Sequence, residues 1–175
     1  MVMNLQRQTR NLSKGFTLIE VMVVVIIFGL LSALAAPSFQ RAYASTKFRA
    51  GERMVTSSLR KARSYAVTNK VPFGVHFDAE SRVVTVFKNS TNPSLTVYET
   101  TDSAYAVDTL PADFAYIYAG MENGAVLFEP NGSAKAGGSP NIILLGETTN
   151  MMALFNISIL ASTGRVSSSS HFYNW

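Results

Sequence analysis

The longest apolar stretch of the chain runs from Val21 to Ala36, relieved only by Gly29 and Ser32. With Phe16–Glu20 in front it makes 21 residues. As a helix rising 1.5 Å per residue that is about 31 Å, close to the ~30 Å of a bilayer's hydrocarbon layer. Pro37 ends the run, and a proline inside a longer helix predicts a kink there. Beyond it, Phe39, Tyr43, Ala50, Met54, Leu59, Ala62 and Ala66 recur near the helical period. This predicts an amphipathic continuation to about Asn69. The stripe slips around Ser45-Thr46-Lys47, and Gly51 is a weak point costing about 1 kcal/mol against alanine.

From Val71 the period shortens to two. Phe73–Asp78 alternates, Ala79-Glu80-Ser81 turns, and Arg82–Phe87 continues, which predicts a hairpin. Further strands are predicted at Leu95–Tyr98, Ala115–Tyr118, Ala125–Phe128, Ile142–Leu145 and Leu154–Leu160. Residues 100–113 read as loop, and Gly132–Pro140 as a Gly/Ser-rich loop. Residues 167–175, opening with four serines, read as a loosely docked tail. The expected fold class is α+β: a long N-terminal helix, transmembrane in its first half, with a small antiparallel sheet packed on its second half.

Charge sharpens this division. The formal net charge is +4. Residues 1–15 hold Arg7, Arg10 and Lys14 and no acid, which puts that end in the cytoplasm by the positive-inside rule. Residues 37–70 carry eight basic residues against Glu52, whereas residues 71–175 carry four against nine acids. Such runs are most often solvated helix faces. Glu20 is different, a lone carboxylate at the front of an uncharged segment, where an acid costs ~2.5–3.5 kcal/mol in lipid. A cleavable secretory signal is an alternative, because Ser32-Ala33-Leu34-Ala35-Ala36 offers small residues after the apolar core. Glu20 inside that core argues against it.

Gly15-Phe16-Thr17-Leu18-Ile19-Glu20, a basic leader before it, an apolar run after it and a proline 17 residues beyond the glutamate resemble the leader of type IV pilins and pseudopilins. The resemblance implies that a membrane aspartyl peptidase cuts between Gly15 and Phe16 and methylates Phe16, leaving Glu20 as the fifth residue. It implies the segments 1–15 leader, 16–36 transmembrane and assembly helix, 37–70 amphipathic half-helix, 71–166 head and 167–175 tail. The partners implied are other pilins or pseudopilins, the prepilin peptidase and methylase, an inner-membrane assembly platform and the lipid bilayer. Glu20 and Pro37 are the expected assembly residues. In a fibre the Glu20 carboxylate can pair with the Phe16 ammonium of a neighbour, and losing one member of a buried pair costs ~3–5 kcal/mol.

Leu59-Arg60-Lys61-Ala62-Arg63-Ser64-Tyr65-Ala66, running through a polar turn into a strand, is similar to the GspH/FimT branch. So are Val126–Gly132, Ile142–Leu145 and a last strand ending Thr163-Gly164-Arg165-Val166. That branch contains minor pseudopilins of type II secretion and minor type IV pilins. Some of its members bind DNA through a Gly-Arg-x-Arg element. Here Gly164-Arg165-Val166-Ser167 keeps the first arginine only, so Arg165 is a weak DNA contact in an acidic head.

Other chemistry is sparse. There is no cysteine, which excludes thiolate metal sites and cysteine catalysis. His76 and His171 lack metal-set spacing. Asp78 and Glu80 fall in a hairpin turn, where acids serve the turn. No nucleophile elbow, phosphate loop or paired-histidine motif occurs. The sequence implies no cofactor, no metal and no enzyme.

Overall fold

The computed structural model describes residues 15–90, 97–99, 101–148 and 151–174. The chain divides into two units, Met1–Phe39 and Gln40–Trp175. One helix, α1 (Leu18–Asn69), contributes residues to both and carries Pro37 inside it. The expected leader falls almost wholly outside the described residues.

In the second unit, the buried positions of α1 are Ala44, Phe48, Gly51, Val55, Thr56, Ser58, Leu59, Ala62 and Ala66. Ala44, Phe48, Gly51, Val55, Leu59, Ala62 and Ala66 follow steps of three and four, which keeps them on one helix face. The stripe expected from sequence was rotated at its start. Phe39, Tyr43 and Ala50 are exposed and Met54 is half-buried. The reason lies at Gly51. A Cβ there would sit 2.4 Å from the Phe114 ring. The residue that looked like a weak point is where α1 packs against Phe114 with no room for a side chain.

The head holds two antiparallel sheets rather than the single small sheet expected. The first orders β3 (Ser103–Thr109), β2 (Val83–Lys88), β1 (Phe73–Asp78), β5 (Ala125–Phe128) and β6 (Ala134–Lys135). The second orders β4 (Phe114–Met121), β7 (Gly138–Thr148), β8 (Met151–Leu160) and β9 (Arg165–Asn174). The 44–55 stretch of α1 serves the second sheet. Phe48 meets Phe114 edge-on at 5.6 Å and fills the space left by Gly146. The 58–66 stretch serves the first sheet, with Tyr65 5.5 Å from Phe73 and Ser58 bonded to Asp108 at 3.4 Å.

Strand burial follows from this packing. In β8, Met151, Ala153, Phe155, Ile157 and Ile159 alternate inward. In β4 the register slips between Phe114 and Tyr116 and again between Ala119 and Met121. These bulges let Phe114, Ile117 and Met121 all reach the core despite their odd spacing. β5 is buried at all four positions, as an inner strand covered on both faces should be.

Three expectations need correction. Residues 103–109, read as loop, form β3, an edge strand whose mixed polar pattern reflects its exposed faces. The Gly132–Pro140 loop contains β6 and the start of β7. The tail is β9, paired with β8 from Arg165↔Leu160 to Asn174↔Met151. Thr163-Gly164 is the turn before that strand, not its end. Backbone pairing needs no apolar side chain, so Ser167–Ser170 lie in a strand while exposed. Val166 and Phe172 pack against the core, and Phe172 meets Phe155 at 5.6 Å. The expected strand Leu95–Tyr98 lies outside the described residues up to Thr96, and Val97–Glu99 form no strand. Tyr98 instead covers Phe87 and stacks on His76, each at 5.0 Å.

Candidate assembly segment and head cleft

Gly15, Phe16 and Thr17 precede the helix and are exposed. Thr17 closes its first turn. The Glu20 amide donates to the Thr17 hydroxyl at 3.3 Å and to the Thr17 carbonyl at 3.1 Å. Thr17-Leu18-Ile19-Glu20 therefore has the spacing of a capping box, with threonine at the cap and glutamate three residues on. Sequence reasoning passed over this signal while reading the same four residues as part of the processing motif. Glu20 also stands in the first helical turn, where a carboxylate is favoured by the helix dipole. Phe16 and Glu20 line one shallow depression with Val21 and Val24.

From Phe16 to Leu34 the large apolar side chains are exposed, Phe16 by 84% and Leu34 by 80%. This stretch of α1 is long and apolar enough to cross a membrane, and none of it is buried. Among the described residues of its own unit, nothing covers it. Pro37 lies at its end, within α1.

In the second unit, Arg165 opens β9 directly after Gly164, whose φ is +62°. The Gly164 turn presses against the Gly132 turn. A Cβ on Gly164 would stand 2.3 Å from the Gly132 carbonyl oxygen, so only glycine fits. The Ala134 amide donates to the Ala161 carbonyl at 2.8 Å and ties the two turns together. Arg63 of α1 donates through Nε to the Gly132 carbonyl at 3.1 Å. An open cleft of about 560 Å³ results, lined by Arg60, Arg63, Ser64, Thr68, Gly164 and Arg165 among others. Sequence reasoning had assigned Arg60 and Arg63 to a solvated helix face and weighed Arg165 by itself. The fold brings all three together.

The remaining polar residues are accounted for by structure. Both Asp78 oxygens serve the β1–β2 turn, accepting from the Glu80 and Ser81 amides and the Ser81 hydroxyl. The Ser81 bonds hold its carboxyl below the usual carboxylate range. Burial pushes the His76 imidazole down, opposed in part by Asp78. Lys47 pairs with Asp113, and that bond raises the lysine. No group of three or more metal-binding side chains occurs among the described residues. His171 is an exposed residue of β9.

A capped, uncovered apolar helix and a head of antiparallel sheets make an α+β, pilin-like arrangement. The comparisons agree at its N-terminus. Residues 10–36 match the prokaryotic N-terminal methylation motif. The chain is 45% identical over 51 residues to a fimbrial protein of Moraxella nonliquefaciens, covering 27% of this chain and 33% of that one. It is 58% identical over 31 residues to the type IV major fimbrial protein FimA of Dichelobacter nodosus, covering 18% and 20%. The chain thus spans a third or less of the length of these relatives. The likeness is to structural fimbrial subunits, not to enzymes. No solved structure matches.

Proposed function

We propose that this chain is a minor pseudopilin of the GspH/FimT type, a non-enzymatic subunit that supports type II secretion by assembling through its N-terminal helix. One observation carries the reading. A lone carboxylate, Glu20, stands on the first turn of an uncovered apolar helix, four residues after the Gly15-Phe16 bond. Such a helix needs a partner outside its own unit, either lipid or like helices, and a carboxylate there needs a cation. Cleavage after Gly15 supplies that cation as the Phe16 ammonium. The processed chain is held in the inner membrane by residues 16–36, with the head on the periplasmic side, until it enters a fibre. The peptidase and methylase, an inner-membrane assembly platform and neighbouring pseudopilins are its partners.

A second reading, a minor type IV pilin that primes pilus assembly, is favoured by the fimbrial names of the relatives. Deleting the gene and measuring exoprotein secretion and twitching in parallel separates the two. Lost secretion with intact twitching is expected. The reverse outcome selects the pilus, and neither defect overturns both. Within either fibre, Glu20→Ala is expected to abolish incorporation while leaving the protein in the membrane. Normal incorporation of that variant would remove Glu20 from the account.

A further inference from the structure

We infer that the free edge of β9 is a docking site for an extended strand of a partner protein, one that pairs with it backbone to backbone and turns acidic side chains toward α1. The inference rests on the head alone and holds for either fibre.

Among the described strands each sheet ends in two edges, and three of the four are blunted. β6 is two residues long. β4 pairs across two register shifts, and β3 across one. Short or irregular edges do not template another chain. β9 is neither. Its 10 residues pair with β8 in unbroken register, and they include no lysine or proline. Among the described residues no strand covers its other edge. Alternate N–H and C=O groups of β9 therefore point outward without a ladder. An extended backbone is what meets such a row along its length.

The side chains say which strand fits. Residues directly opposite in a ladder share a face. Val166, Ser168, Ser170 and Phe172 thus lie on the same face as the inward residues of β8. Val166 and Phe172 pack against the core, but Ser168 and Ser170 are exposed. α1 runs beside this gap. Arg49 sits over the Phe172 ring at 4.7 Å at one end, and Arg63 lines a cleft with Val166 at the other. Between these two points α1 carries Arg53 and Arg60, both exposed and neither with an acid partner among the described residues. β8 and β9 contain no acid, and Glu52 of α1 accepts from the Thr56 hydroxyl at 3.0 Å. A strand added at β9 sets every second side chain into the gap, toward these cations. Acids at those positions neutralise them. A second copy suits the edge less well. β9 pairs with itself only about a two-fold axis normal to the sheet, and that axis leaves both α1 flanks on one face, cations toward cations.

The test uses the full-length protein in a non-ionic detergent and a fluorescein-labelled decapeptide alternating threonine and glutamate, read by fluorescence anisotropy. Saturable binding is expected. The same peptide N-methylated at every residue keeps its charge but loses its amide donors, and it should not bind. Ser168→Pro and Ser169→Pro remove neighbouring amides, which point to opposite edges of β9. One breaks a bond to β8 and lowers the melting temperature of the head. The other removes an outward amide only, keeps the parent melting temperature and is expected to lose most of the binding. Arg53→Gln, at an exposed position, should weaken binding several-fold. Failure of the parent peptide to bind overturns the inference. Equal binding of the N-methylated peptide does so too, because charge alone would then suffice. So does undiminished binding by the stable proline variant or by Arg53→Gln. A dimer of the protein that the stable proline variant dissociates would make the occupant a second copy, and would likewise overturn it.

Discussion

The two parts of α1 place their apolar side chains by different rules. From Val21 to Leu34 nearly every side chain is apolar, on all sides of the helix, and exposed. From Ala44 to Ala66 the apolar side chains gather mainly on one face, where Ala44, Phe48, Val55, Leu59, Ala62 and Ala66 are buried. The first stretch has the composition of a core helix without a core among the described residues of its unit. The second needs a narrow stripe because the two sheets cover one side only. Uniform apolarity announces a partner supplied from outside, and periodic apolarity one supplied by the same chain.

Core truncation should break this comparison most sharply. Phe128 and Phe155 are fully buried in the head. Phe155→Ala is expected to destabilise the head by about 3–5 kcal/mol. Ile26→Ala, on the uncovered stretch, should leave head unfolding unchanged. Denaturant unfolding followed by a head-specific probe reads both. Equal effects would mean that the two stretches share one core. Next in size is Gly51. Gly51→Val puts a branched side chain where the Phe114 ring already stands at 2.4 Å, and a loss of about 1–3 kcal/mol or more is expected. A neutral result would show that α1 approaches the sheet less closely.

That glycine also shows what was legible in the sequence. Helix propensity scores Gly51 as a defect, because propensity knows nothing of Phe114. The sequence stripe was therefore anchored on the large side chains Phe39 and Tyr43, which lie outside. The end of α1 at Asn69 was plain from the polar turn into Val71-Pro72, and in the structure Lys70 closes it with a left-handed φ of 58°. The hairpin β1–β2 was plain because its alternation and its Asp78 turn agree. β9 was hidden because Ser167–Ser170 carry no hydrophobic signal, and its pairing with β8 is a backbone property. β3 was hidden for a different reason: its larger apolar residues, Tyr105 and Val107, are exposed, so its pattern does not follow the core. At the candidate sites, Gly15, Phe16 and Glu20 stand together in sequence and could be read directly. The cleft could not, because Arg63 and Gly164 are 101 positions apart and meet only through the two glycine turns.

The smallest expected effect is a pH dependence confined to the head. His76 is half-buried beneath Tyr98, and burial lowers its pKa from the ordinary 6.5. The unfolded chain therefore takes up this proton before the folded one does. The stability contributed is fully present above about pH 6.5 and is lost as pH falls through the lower folded value. His76→Gln should flatten the melting temperature profile just below pH 6.5. Asp78, also lowered, acts further into acid by the same sign and remains in both proteins. An identical acid limb in the variant would remove His76 from this role.

The central claim is that the uncovered helix begins, in the working protein, at Phe16. Intact mass of the chain recovered from assembled fibres tests it most directly. The account predicts the mass of residues 16–175 plus one methyl group. A chain in that material still beginning at Met1 would contradict it.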